Sequence, residues 1–327
     1  MGIKKNFIYN LILTLSNYIV GLIVFPYISR VLGVSNVGII GFVDNSINYF
    51  ILFATMGIGI IGAREVAKVK TNQSDLNKIF SRLISLSSIF IILVLIVYFI
   101  LIFTIPKFYQ YIDLFLIGVA KLIFTVYSID WFYRGIENFK YVSIRNIIIK
   151  LIYIISLFIL VRSRDDVQIY FILTILTIVL SSIVNILYSR NFVKFSIKNI
   201  SLKPYFKQTI YIGSYSILTS MYTTFNLMFL GFVTNPTEVG YYWTALKIYT
   251  IILGFYTAFT GVMMPRMSAL LAEENYEKFN SLITKSFELI FSFAFPLIIC
   301  CIILAPQIIY ILSGNGYEGA IIPMQII

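Results

Sequence analysis

Four ionisable side chains interrupt long apolar runs in this sequence: Asp44, Lys121, Lys150 and Lys247. A charge at the centre of a membrane helix costs roughly 2.5–3.5 kcal/mol even on insertion scales, so each needs a partner, water or a function. Lys121 shares a helical face with Thr125 and Ser128, and Lys150 falls about 12 Å into its apolar run at a rise of about 1.5 Å per residue. A lysine can snorkel toward headgroups, which accounts for Lys247 and partly for Lys150; Lys121 has less chance of escape. Asp44 is too short to snorkel, and Asn48 and Thr55 extend its face. One reading pairs Asp44 with Lys247 as a gate contact. Three cations against one clearly buried acid describe a cavity that captures an anionic cargo without breaking a bond.

Uncharged polar groups extend the candidate cavity. Asn10, Thr14, Asn17 and Gly21 recur at i, i+4, i+7 and i+11 on one helical face, and Ser216 and Thr219 follow Thr14 and Asn17 by 202 residues. Such a stripe serves a hydrated cavity or close helix packing equally well. Asp130, Arg134 and Glu137 stand together at the end of the fourth apolar run, where a local structural ion cluster is expected. Asp165-Asp166, after Arg162 and Arg164, reads as turn or interface decoration. The chain has no histidine and no Gly-x-x-x-x-Gly-Lys-Ser/Thr loop, which excludes histidine catalysis, histidine metal ligands and ATP binding by that loop. No cofactor or metal is called for. Cys300 and Cys301 are adjacent inside an apolar run, where packing is their expected role.

The elements that must carry these groups are nine apolar blocks: residues 6–28, 38–62, 80–105, 112–133, 142–161, 168–189, 208–232, 240–264 and 281–305, with a tenth beginning near Gly319. About 20 helical residues cross a hydrocarbon core roughly 30 Å thick. The blocks are too continuous for barrel strands, so the fold class is an all-α polytopic membrane protein. Lysine and arginine gather in every second gap: eighteen lie on the side of the N-terminus and only Arg30, Lys107, Arg162 and Arg164 on the other. The positive-inside rule therefore places the N-terminus in the cytoplasm. It also accounts for the net charge of +11 without a nucleic-acid partner. The first block is too long for a signal peptide and lacks a small-residue cleavage site, so it reads as a retained span.

Shifted by 202 residues, the sequence lays Lys5 on Lys207, Ile8-Tyr9 on Ile210-Tyr211, Val37-Gly38 on Val239-Gly240 and Arg64 on Arg266. These matches fall at the same places in both copies: helix start, outer loop and helix end. They predict two pseudo-symmetric six-helix bundles in parallel repeat, residues 1–200 and 201–327. Ile327 then aligns with Thr125, so the second bundle is expected to stop about two and a half helices short, after nine to ten spans in all.

Three stretches, in their order and spacing, resemble one known family. Arg30-Val-Leu-Gly-Val-Ser-Asn-Val-Gly38, continued by Gly57-Ile-Gly-Ile-Ile-Gly-Ala-Arg-Glu-Val66, resembles the opening hairpin of bacterial polysaccharide repeat-unit flippases. Asp130-Trp-Phe-Tyr-Arg-Gly-Ile-Glu137 with Phe139-Lys-Tyr-Val-Ser-Ile-Arg145 resembles their fourth-to-fifth helix loop, and Glu238-Val-Gly-Tyr-Tyr-Trp-Thr-Ala-Leu-Lys247 with Met264-Pro-Arg-Met-Ser268 the start of their second half. The family is the O-antigen and capsule branch of the MOP exporter superfamily. The resemblance implies a multi-pass protein of the cytoplasmic (inner) membrane that moves undecaprenyl-diphosphate-linked oligosaccharide across the lipid bilayer by alternating access. A polysaccharide polymerase and a chain-length regulator are implied as partners. In the related lipid II flippases, arginines of the first helix help bind the diphosphate. This first span carries no cation, so Lys121, Lys150 and Lys247 are the expected clamp. An ion-coupled drug antiporter of the same superfamily would instead need available buried acids. An integral membrane glycosyltransferase or polymerase would need outer-face catalytic carboxylates, and the outer loops here are short.

Overall fold

The computed structural model describes residues 3–196 and 201–327, without the side chains of residues 3–8, Asn10, 222–224, 255, 258, 262, 265, 269 and 272. Every regular element among the described residues is helical, and seven helices are long and apolar enough to cross a membrane, or eight with the bent α9. The first, α1 (Ile3–Thr55), bends at Gly33, whose φ of 77° and ψ of 164° leave the helical region. Its apolar part, Leu11–Thr55, is 45 residues. That is about 67 Å at a rise of about 1.5 Å per residue, enough for two crossings. The other long helices are α3 (Gln73–Thr104), α5 (Ile112–Val126), α7 (Phe139–Leu160), α8 (Val167–Ser189), α9 (Lys203–Val233), α10 (Pro236–Ala272) and α11 (Tyr276–Ile303). Short helices α2 (Ile58–Val69), α4 (Pro106–Tyr109), α6 (Asp130–Gly135), α12 (Ala305–Ser313) and α13 (Ile321–Ile326) join them.

Polar caps fix where these helices start. Asn72, Asn138 and Asn275 each accept a backbone N–H from the first turn of α3, α7 and α11. Before α8 the Asp166 carboxylate accepts from the N–H groups of Arg162 and Ser163 at 2.8 and 2.7 Å. Those bonds hold its pKa below the usual carboxylate value. A depressed pKa means that the loop's support is complete above about pH 4 and is lost only as pH falls through the lowered value.

Two of the expected spans are interrupted. The second does not run on to Gly62 but breaks at Met56 and Gly57, with φ of 39° and 71°, and restarts as α2. The fourth breaks after Val126, and Ile129 is held at φ 42° before α6 begins. A β-branched residue in that region is strained, and the strain is offset where Asn185 of α8 donates to the Ser128 carbonyl that the break releases. Hydropathy counts apolar residues and does not register either break.

One apolar core, including Phe42, Ile47, Tyr98, Phe115 and Phe171, joins α1, α3, α5 and α8. A second, around Phe80, Leu83, Trp131, Phe132 and Tyr133, packs α2 and α6 against the start of α3. The N-terminal helices meet α10 at a glycine contact. A Cβ on Gly38 would lie 1.8 Å from the Pro236 carbonyl oxygen, and one on Gly240 would lie 2.2 Å from that of Val34. Pro236 follows Val34 by 202 residues and Gly240 follows Gly38 by the same interval, so the contact maps onto itself under the repeat. That is the signature of an isologous contact about a two-fold axis. Nearby, Lys107 donates to the Thr234 carbonyl at 3.3 Å and Tyr317 to that of Ser29 at 2.9 Å.

Gly38→Ala and Gly240→Ala should each lower stability by about 1–3 kcal/mol, because backbone is the obstructing partner. Gly21→Ala, with open space around it, should be neutral or mildly stabilising. Thermal unfolding of the three variants in one detergent measures this, and equal midpoints for Gly38→Ala and Gly21→Ala would contradict the contact.

Candidate functional site

A buried ion pair joins α1 to α5. Lys121 Nζ donates to Asp44 Oδ1 at 2.6 Å and to Asn48 Oδ1 at 2.8 Å, and the Asn48 amide donates to Asp44 Oδ2 at 3.4 Å. Lys121 is 6% exposed, so this carboxylate neutralises a truly buried cation. Asp44 therefore pairs with Lys121 and not with Lys247. α1 packs against both α5 and α10, and on α10 the Lys247 ammonium lies over the Trp243 ring, one turn back and 4.9 Å from its centroid. Lys247 keeps exposed surface yet is crowded by protein, as a side chain on the wall of a cleft is, and lies within electrostatic reach of both Asp44 and Lys121.

A second network stands where the α5–α6 break was described. Arg145 on α7 grips Asp130 with both arms, at 2.8 and 3.3 Å, and also donates to Asn185. Asn185 donates to Asp130 Oδ1 at 2.7 Å, and its own Oδ1 accepts from Tyr141 at 3.1 Å. The expected cluster of Asp130, Arg134 and Glu137 is thus replaced: Asp130 belongs to Arg145, and Glu137 pairs with Lys70 at 2.8 Å. Glu137 sits past the end of α6 at φ 60°, off the helical register that would have stacked the three. Arg134 is exposed and has no ion pair among the described residues.

Lys150 is held differently. Its ammonium donates to Ser16 Oγ at 3.1 Å and to the Asn17 side-chain oxygen, both neutral, and no carboxylate pairs with it among the described residues. It lines a cavity of about 360 Å³ inside the N-terminal helices, with Asp130, Arg145, Asn146, Tyr153 and Thr177. Thr125, Ser128 and Asp130 also line a larger cavity of about 840 Å³, which reaches Thr55, Arg64, Arg134 and, from α9, Ser216. Lys121 and Lys247 line neither of these two cavities. Of the helical stripes, Asn17 bonds Lys150 and Thr14 lies part-buried on the same helix, while Thr219 is exposed and donates to its own helix backbone. The Asn10 side chain lies outside the described residues. Arg145 and Asn185 were not singled out by the sequence; the signal was present, since both are polar residues inside or bordering apolar runs.

Repeated membrane-length helices enclosing polar, charge-lined cavities are the build of an integral membrane transport protein. The chain belongs to the polysaccharide biosynthesis protein family, whose model matches residues 3–271. It is similar to a protein of Escherichia coli (strain K12) named "Putative O-antigen transporter", at 28% identity over all of this chain and 79% of the relative. A protein of Shigella dysenteriae with the same name is 26% identical over 84% of this chain and 69% of that relative. The resemblance read from the motifs agrees with both. No solved structure matches.

Asp44→Ala or Lys121→Ala strands the other charge and should lower stability toward the low end of about 3–5 kcal/mol, since Asp44 keeps 25% side-chain exposure. The double variant should lose less than the sum. Denaturant unfolding of all four proteins closes the cycle, and additive losses would mean that the pair is not coupled.

Proposed function

We propose that this protein flips undecaprenyl-diphosphate-linked oligosaccharide repeat units from the inner to the outer leaflet of the cytoplasmic membrane by alternating access, with its N-terminus in the cytoplasm. The observation that carries this is Lys150, an intramembrane ammonium paired only with neutral oxygens and opening on a polar cavity. A diphosphate is the dianion-rich group that such a site is short of. Arg134 and Arg64, at the wall of the larger cavity, extend the positive lining, although Arg64 is shared with Glu65 at 3.0 Å. Hydroxyls of Thr125, Ser128 and Thr177 offer hydrogen bonds to sugars while the polyprenyl chain stays in lipid. Residues 1–200 and 201–327 act as the two bodies, rocking about the contact of Gly38 with Pro236 and Gly240. Binding is noncovalent throughout. The names of the relatives support the same reading.

The cation-antiporter reading is weakened by the acids. Asp44 and Asp130, the carboxylates that reach into these helices, are committed to Lys121 and Arg145 and are not free to hold a coupling cation.

A flippase-null strain complemented by this gene should recover surface polysaccharide. Lys150→Ala should reduce it by about tenfold or more, the loss of one charge-assisted contact to the diphosphate, and Lys247→Ala, outside both cavities, by a smaller factor. Wild-type polysaccharide levels in both variants, at equal membrane abundance, would remove these lysines from the mechanism.

A further inference from the structure

At the end of the fold where Gly38 meets Pro236, a separate cavity of about 350 Å³ opens between three segments. Asn36 comes from just past the α1 bend, Gln110 and Asp113 flank the start of α5, Arg164 and Asp165 come from the α7–α8 loop, and Gln168 from the first turn of α8. Its volume falls within the range of small-molecule sites, about 300–1,000 Å³. The side chains of Gln110, Asp113, Asp165 and Gln168 make no hydrogen bond to protein among the described residues. The frame around them is nonetheless fixed. Asn36 donates to the Arg164 carbonyl at 2.8 Å, and Asp166 ties down the N–H groups of Arg162 and Ser163. Tyr111 forms one wall, its ring held edge-on against Phe42 at 6.3 Å.

We propose that this pocket is a sugar subsite, taking one uncharged pyranose ring of the lipid-linked oligosaccharide as it reaches the outer leaflet. The assignment rests on the function proposed above for its topology, and on the pocket itself for its chemistry. Carboxylates and primary amides offer paired acceptors and donors that match neighbouring hydroxyls of a sugar, and Tyr111 supplies a partly apolar face beside them. The sign of the charge separates sugar from phosphate. Two carboxylates against one guanidinium repel a diphosphate, whereas the cavities of the site described above carry the unpaired cations. Asn36 also stands two residues from Gly38, so a ring bound here contacts the helix on which the two bodies turn. Occupancy is therefore coupled to their separation.

The test uses the full chain in lipid nanodiscs and saturation-transfer difference NMR with free glucose, galactose, rhamnose and N-acetylglucosamine as probes. At least one should bind in the millimolar range, and Gln168→Ala and Asp113→Ala should each weaken it by about tenfold, the loss of one hydrogen bond to a sugar hydroxyl. Lys150→Ala and Lys247→Ala should leave sugar binding intact, and inorganic pyrophosphate should not compete. No binding by any probe, competition by pyrophosphate, or unchanged affinity in both pocket variants would overturn the subsite. The lysine variants keep the two readings apart. Absent sugar binding with complementation still lost in Lys150→Ala sinks the pocket alone, and sugar binding with full complementation in both lysine variants sinks the cationic clamp alone.

Discussion

A charge placed in hydrocarbon must find an opposite charge, reach water or stay neutral, and the described helices arrange themselves around that constraint. Asp44 and Lys121 meet it by pairing across α1 and α5, and Asp130 and Arg145 by pairing across α6 and α7 with Asn185 of α8 beneath them. Each pair pins helices that apolar packing alone would leave free to slide, because lipid tails compete with leucine and isoleucine on equal terms. Lys150 and Lys247 do not meet it in that way. One is solvated by a serine and an asparagine, the other by an indole face, and both arrangements leave the positive charge uncancelled. Retaining two such charges is costly for a protein that needs only to fold. The excess is intelligible when the missing anion is cargo.

The same pairs shape the space in which cargo would sit. Asp130, with Ser128 and Thr125, stands on the wall between the two cavities, and the Asp130 network stabilises the helix break that opens that wall. A continuous α5 would direct the carbonyl of Ser128 along the helix axis and remove it from Asn185. The strained φ of Ile129 is thus the local expense of a polar junction between cavities. At the other end of the fold the requirement is opposite. There the glycines at 38 and 240 bring backbone against backbone with no room for a side chain.

The all-helical, multi-span character was legible because hydropathy integrates over about 20 residues, and a slip of a few positions changes little. The Val-Gly repeat was legible too, and the offset that matched Val37-Gly38 to Val239-Gly240 also relates the two sides of the glycine contact between α1 and α10. Partners were not legible. Periodicity puts Asp44 and Asn48 on one face of α1 but cannot say which neighbouring helix that face meets; the expected partner was Lys247, and the fold supplies Lys121. Arg145 was hidden for a related reason. Counted among loop cations for orientation, it lies one and a half turns inside α7 at 4% side-chain exposure, and only the fold reveals that the loop ends early.

Charge is distributed unevenly along the path that a lipid-linked sugar would take. Unpaired cations lie in the interior, whereas the pocket near Gly38 holds two carboxylates, one guanidinium and three amides. Under the proposed function, a headgroup with an anionic root and a neutral, hydroxylated end would meet these two environments oppositely, the cationic interior favouring the root and the pocket near Gly38 the end. Such a gradient orients the headgroup without any further device, since inverting it would set phosphate against Asp113 and Asp165 and leave Lys150 facing hydroxyls. It also limits how tightly the root can be held. Deep lysines with no counter-ion bind a diphosphate strongly when water is excluded, and the cavity that Lys150 lines is open and edged by Asp130, Arg145, Asn146 and Thr177, groups that can hold water beside it. Hydration at the cation weakens the grip enough for release, which a carrier needs as much as it needs capture.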